Sequence, residues 1–174
     1  MIKTGDLYLS NYHSTADIIV NQGGTSSGKT YAILQVLFSK AIAETCTTTV
    51  VGQDIPNLKV GALRDALDII NADEAILQQL VFYNRSERVL SFRNGSIIEF
   101  NSYDNEQDAK SGKRDYLFVN EANGIPYNVF EQLSLRTRQK VFIDYNPDTS
   151  FWVHDKIIPL ENTELIISDH RHNP

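Results

Sequence analysis

The chain has 174 residues, 41% of them hydrophobic, with a formal net charge of −6 and one cysteine. That length suits a single domain over residues 1–174 with a substantial core, and it is too short for two ordinary domains. The charge argues against coating nucleic acid by bulk attraction, and the lone Cys46 excludes an intrachain disulfide or a cysteine-based zinc site. With no membrane-length apolar run and no signal-like start, a cytosolic setting is the default reading.

The first fifteen residues are mixed, with Tyr8 and Tyr12 available for packing or base stacking. A β-branched stretch, Ile18 to Val20, reads as the first strand. It leads into Gly23-Gly24-Thr25-Ser26-Ser27-Gly28-Lys29-Thr30, a complete G-x-x-x-x-G-K-[ST] phosphate loop (Walker A). The helix after it is expected to run to about Glu44. Thr47 to Gly52 reads as a second strand. Pro56 then opens a helix, with Leu58, Ala62, Leu63, Ala66, Leu67 and Ile70 at helical spacing. A short helix is expected from about Asp73 to Leu80.

Val89 to Phe100 alternates apolar and polar residues around Asn94-Gly95, which predicts a hairpin with a type I′ turn. Asn101 to Asp115 is polar and reads as loop with at most a short helix. Tyr116 to Val119 is a buried strand by composition, followed by a helix from about Tyr127 to Thr137. Lys140 to Tyr145 is the next strand, ending in Asn146-Pro147. One or two helical turns at Ser150–Ile157 and a last strand at Glu164–Ser168 complete the chain.

Strands that alternate with helices predict an α/β fold: a mostly parallel sheet flanked by helices, of the P-loop NTPase type with a catalytic glutamate (ASCE), plus an antiparallel hairpin. Such sheets bind ligands beyond their C-terminal strand ends. The loop, Glu121 and Asn146 all fall at such ends.

In the loop, glycines let backbone N–H groups converge on phosphates, reinforced by the helix N-terminus. Lys29 is expected to reach the β- and γ-phosphates of ATP, and the Thr30 hydroxyl to ligate Mg²⁺. Hydrolysis further needs a group that orients water. Four apolar or aromatic residues followed by an acidic pair form the Walker B pattern. Here Tyr116 to Val119 lead into Asn120-Glu121. Glu121 takes the water-activating position, and Asn120 replaces the usual Asp as a weaker metal-site residue. Asn146 is expected at the γ-phosphate or the lytic water, and the role of Asp144 is open. Arg114, with Lys110 and Lys113, is the candidate for a charge-offsetting cation, and Arg64, Arg136 and Arg138 compete with it. Gln22 or Asn21 is a candidate for the adenine or ribose.

Three segments together resemble the large terminase subunits of tailed phages: Gln22 to Thr30, Tyr116 to Asn123, and Asp144-Tyr145-Asn146-Pro147-Asp148 with Phe151-Trp152-Val153 after it. The ending, Ser168 to Pro174, also looks like the close of that family's ATPase region. The resemblance implies an ATPase motor that drives double-stranded DNA into a procapsid in the host cytoplasm. It also implies a homo-oligomeric ring, usually a pentamer, and portal protein and small terminase subunit as partners. The family's nuclease domain is not in this chain, which then corresponds to the ATPase part of a longer protein. Many relatives carry an Arg inside the loop, where Thr25, Ser26 and Ser27 stand here. DNA contact would fall to Arg136, Arg138 and Lys140, or to the hairpin near Arg93. Two other readings compete: a phosphate-loop kinase, for which no Arg-rich lid is evident, and a nucleotide-binding assembly module without hydrolysis, favoured by Asn120.

Overall fold

The computed structural model describes residues 5–169, so the closing stretch beyond Asp169 lies outside the described residues. In chain order the elements are α1 (Asp6–His13), β1 (Ile18–Gly23), α2 (Lys29–Ala43), β2 (Thr47–Val51), α3 (Ile55–Val60), α4 (Ala62–Ala72), α5 (Glu74–Gln79), β3 (Leu80–Asn84), β4 (Val89–Phe92), β5 (Ile97–Asn101), α6 (Glu106–Ala109), β6 (Arg114–Val119), α7 (Tyr127–Leu135), β7 (Thr137–Tyr145) and β8 (Thr163–Ser168). A single π-helical turn, Val153–Ile157, lies between the last two strands.

All strands join one eight-stranded sheet of order β3-β4-β5-β2-β6-β7-β1-β8. From β5 to β8 every pairing is parallel, and β4 and β3 add on antiparallel. The fold is the expected α/β architecture with helices on both faces. Side chains alternate across the sheet, and β6 shows how this makes two cores. Phe118 joins Ile33, Leu34, Leu37 and Phe38 of α2 and Leu63, Ala66 and Ile70 of α4. Leu117 and Val119 join Val129, Phe130 and Leu133 of α7, with Val153 and Ile157. Strands buried on both faces need near-continuous apolar runs, which is why β6 and β7 read so clearly in sequence.

Several elements differ from expectation. The N-terminal stretch forms α1. Tyr8 and Tyr12 stack with ring centroids 5.4 Å apart, Tyr8 shares a hydrogen bond with Ser39 of α2, and Lys40 caps the Tyr12 ring; both tyrosines are packing residues. The hairpin is the inner part of a three-stranded unit, because Leu80–Asn84 pairs with β4. Its turn is not type I′: Gly95 has φ +89°, but Asn94 is not left-handed. Gly95 N–H closes the turn on the Phe92 carbonyl at 3.0 Å. The Asn94 side chain instead donates to the Ala41 carbonyl at 2.8 Å and accepts from Ser96 N–H at 3.0 Å, tying the turn to the end of α2. Among the described residues no helix is long and apolar enough to cross a membrane.

Candidate nucleotide site

The adjacent strands β6, β7 and β1 deliver their C-terminal ends to one rim of the sheet. The phosphate loop leaves β1 there and turns back into α2. Gly28, with φ +80°, makes the left-handed step into the helix, and Ser26 is also left-handed at φ 63°. Gly23 is required for a different reason. A Cβ there would lie 2.4 Å from Ser168 Oγ and 2.8 Å from the Ser168 carbonyl oxygen. The tip of β8 thus packs directly on the loop, and Ser168 Oγ donates to Ser27 Oγ at 3.0 Å. A cleft of about 240 Å³ opens beside the loop, lined by Ser26 to Tyr31 and by Asp65 of α4.

Lys29 is 8% exposed. Its Nζ donates to the Gly24 carbonyl at 3.1 Å and to Asn146 Oδ1 at 2.8 Å. Burial pulls its pKa below the ordinary lysine value, against the opposing pull of Asp144, Glu121 and Asp148. Lys29, the first residue of α2, and Asn146, the residue after β7, therefore meet at this rim. The Asn146 amide also reaches Thr25 Oγ1 at 3.5 Å.

The centre of the rim is a residue whose role the sequence left open. Asp144 is fully buried. Thr30 Oγ1 donates to its Oδ2 at 2.5 Å. Glu121 N–H donates to its Oδ1 at 2.7 Å, and Asn120 Nδ2 approaches both oxygens at 3.1 and 3.2 Å. Burial pushes the Asp144 carboxyl above the usual carboxylate range, opposed by these donors and by Lys29. Asn120, the weaker metal-site residue of the sequence reading, gives its amide nitrogen to Asp144. The side chain of Glu121 is exposed at the rim. Its backbone is left-handed, at φ 52° and ψ 57°, a conformation that costs a non-glycine residue about 1–2 kcal/mol.

Two other expectations are corrected. Arg114 is 2% exposed and starts β6, roughly 17 Å from the C-terminal end at about 3.3 Å per residue. Its donors go to Thr49 Oγ1 at 2.9 Å, the Leu133 carbonyl at 3.0 Å and the Ser111 carbonyl at 3.4 Å, so it ties the far edge of the sheet together and faces no phosphate. Gln22 and Asn21 are engaged elsewhere. Gln22 Oε1 accepts from the Tyr145 hydroxyl at 2.7 Å, and Asn21 exchanges paired 2.8 Å bonds with Asn11 of α1.

A Mg²⁺–nucleotide fits the donor set at this rim. Hard oxygen donors from Thr30 and one carboxylate suit Mg²⁺, which keeps waters and phosphate oxygens as its other ligands. Among the described residues no cluster of three or more acidic, histidine or cysteine side chains forms a closed metal cage.

A family model described as phage terminase large subunit matches residues 15–166. Among solved structures, the large terminase of the thermophilic bacteriophage D6E in complex with ADP superposes with a TM-score of 0.78 at 15% identity, over 98% of this chain and 46% of that one. The large terminase ATPase domain of Thermus phage P74-26 gives 0.72 at 16% identity, over 95% and 80%. The N-terminal domain of the bacteriophage phi29 DNA packaging ATPase gives 0.59 at 18% identity, over 91% and 92%. The chain thus spans a little under half the length of the D6E protein. A search of curated proteins finds no match.

Proposed function

The chain belongs to the phage terminase large subunit family, and on that premise we propose that it is an ATP-hydrolysing domain whose turnover drives double-stranded DNA into a procapsid. The loop N–H groups and Lys29 hold the β- and γ-phosphates. The Thr30 hydroxyl would ligate Mg²⁺, which would neutralise phosphate charge when bound. Glu121 orients and deprotonates the attacking water. Asn146, which shares Lys29 with the Gly24 carbonyl, meets the γ-phosphate.

One observation carries this reading. Asp144 accepts from Thr30 at 2.5 Å and from Glu121 N–H at 2.7 Å, linking phosphate loop and water-activating residue through one side chain. Solved D6E large terminases in complex with ADP and with ATP-gamma-S support nucleotide binding on this fold. The full motor reading adds a ring, usually of five copies, at the portal, with the small terminase subunit as a further partner, in the host cytoplasm.

Release of free phosphate from ATP is the test. Glu121→Gln should lower turnover by about 10²–10⁴-fold and leave nucleotide affinity intact. Lys29→Ala should weaken binding itself. Equal turnover in wild type and Glu121→Gln would leave a binding module without hydrolysis, and phosphate appearing on an acceptor instead of in solution would indicate a kinase.

A further inference from the structure

The acidic pair expected at the end of one strand is divided between two. Tyr116 to Val119 end in Asn120-Glu121, and on the neighbouring strand Val141-Phe142-Ile143 end in Asp144. The parallel register pairs Val119 with Ile143, so the next residues, Asn120 and Asp144, stand side by side. Asn120 gives its amide to both carboxylate oxygens, and the Thr30 hydroxyl closes on Asp144 at 2.5 Å.

We propose that Asp144 supplies the protein carboxylate of the Mg²⁺ site, and that Asn120 is its positioning residue. The inference rests on the nucleotide-hydrolysis reading above and deepens it. Three facts support it. First, Asp144 is wholly buried, and the donors bonded to it are the neutral hydroxyl of Thr30, amide of Asn120 and backbone N–H of Glu121. Neutral donors orient a carboxylate but do not cancel its charge, and Lys29, the cation whose charge reaches it, gives its hydrogen bonds to Gly24 and Asn146, so the carboxylate keeps a place for a second cation. Second, Asp144 is hydrogen-bonded to the phosphate-loop hydroxyl that faces the metal in this motif. Third, Asn120 is neutral, so the position directly beside Asp144 holds no second carboxylate; Asp at both positions would set like charges side by side. Asp144 also holds the left-handed backbone of Glu121, which couples the metal site to the residue that activates water.

The test is nucleotide affinity with and without Mg²⁺, measured with ADP by calorimetry, and Mn²⁺ binding to the ADP complex read by electron paramagnetic resonance. Losing even an outer-shell partner of a metal ligand costs about 10–100-fold in metal affinity, so losing the carboxylate of the site should cost at least that. Asp144→Asn should lose Mn²⁺ affinity by at least that factor and abolish the Mg²⁺-dependent gain in ADP affinity, while Mg²⁺-free binding persists. The exchange variant Asn120→Asp/Asp144→Asn returns one carboxylate and one amide to the same pair of strand ends, and should recover Mn²⁺ binding. It also keeps the test open if Asp144→Asn alone fails to fold. Full Mn²⁺ affinity in folded Asp144→Asn, or none in the folded exchange variant, would overturn the assignment. Failure of wild type to bind ADP at all would instead remove the nucleotide reading beneath it.

Discussion

Lys29 and Asn146 hold each other beside the loop, and on the proposed reading a bound phosphate replaces that contact with its own. The site is therefore pre-organised by its own side chains. Gly23 shows how tightly the loop is built. Ala at this position places a methyl carbon against the Ser168 backbone, where flexible side-chain movement gives no relief. Gly23→Ala should cost about 1–3 kcal/mol, read as a lowered thermal midpoint, with weaker ADP binding because the loop shifts. An unchanged midpoint and affinity would show that β8 does not brace the loop.

At the same scale, some of the site was plain in the sequence and some was not. The loop with Lys29 and Thr30 at the start of α2, and Glu121 and Asn146 just past the ends of β6 and β7, were readable as candidates because each place calls for a specific residue type. Asp144 was equally visible as the end of an apolar run, but which strand lies next to which is a tertiary fact. Only the β6–β7 pairing turns Asn120 from an apparent defect into a partner.

Among elements, the strands buried on both faces were legible and the edges were not. β3 carries exposed Val81 and Phe82 and lacks a clean alternation, so its pairing with β4 was invisible locally. α1 is short and carries only Leu7 and Asn11 as buried residues; its place is set by contacts with α2 and by the Asn11–Asn21 pair. Arg114 misled because a basic residue before a catalytic strand resembles a phosphate partner, whereas here it knits β6 to Thr49 of β2 and to the end of α7. Arg114→Met strands those acceptors and should destabilise the domain by about 2–4 kcal/mol, a fall in thermal midpoint of about 2–4 °C per kcal/mol. Turnover per folded molecule should stay within about twofold of wild type. Lost turnover at an unchanged midpoint would restore Arg114 to the chemistry.

On the scale of the whole molecule, the net charge of −6 gives one copy little general affinity for DNA, so a translocating role depends on several copies adding weak contacts. Arg138 is exposed and only loosely paired, 3.6 Å from Asp115, while Lys140 is spent on the carbonyls of Ser14 and Ala16. That leaves Arg138 as the freer of these two basic groups. DNA binding by an assembled form should weaken steeply with salt, as measured by filter retention across a salt series, and Arg138→Ala should flatten that slope. Salt-independent retention would exclude a phosphate-led contact.

The sheet order has a consequence for how the protein comes into being. β1 carries the phosphate loop, yet its hydrogen-bonded neighbours are β7 and β8, the last strands of the described chain. On a ribosome, the loop emerges early and then waits, its strand unflanked, until residues 137–168 have been made. ATP in the cell therefore cannot template the early folding of the nascent chain, and a fragment that stops before β7 should emerge from synthesis unable to hold nucleotide, however complete its glycine loop.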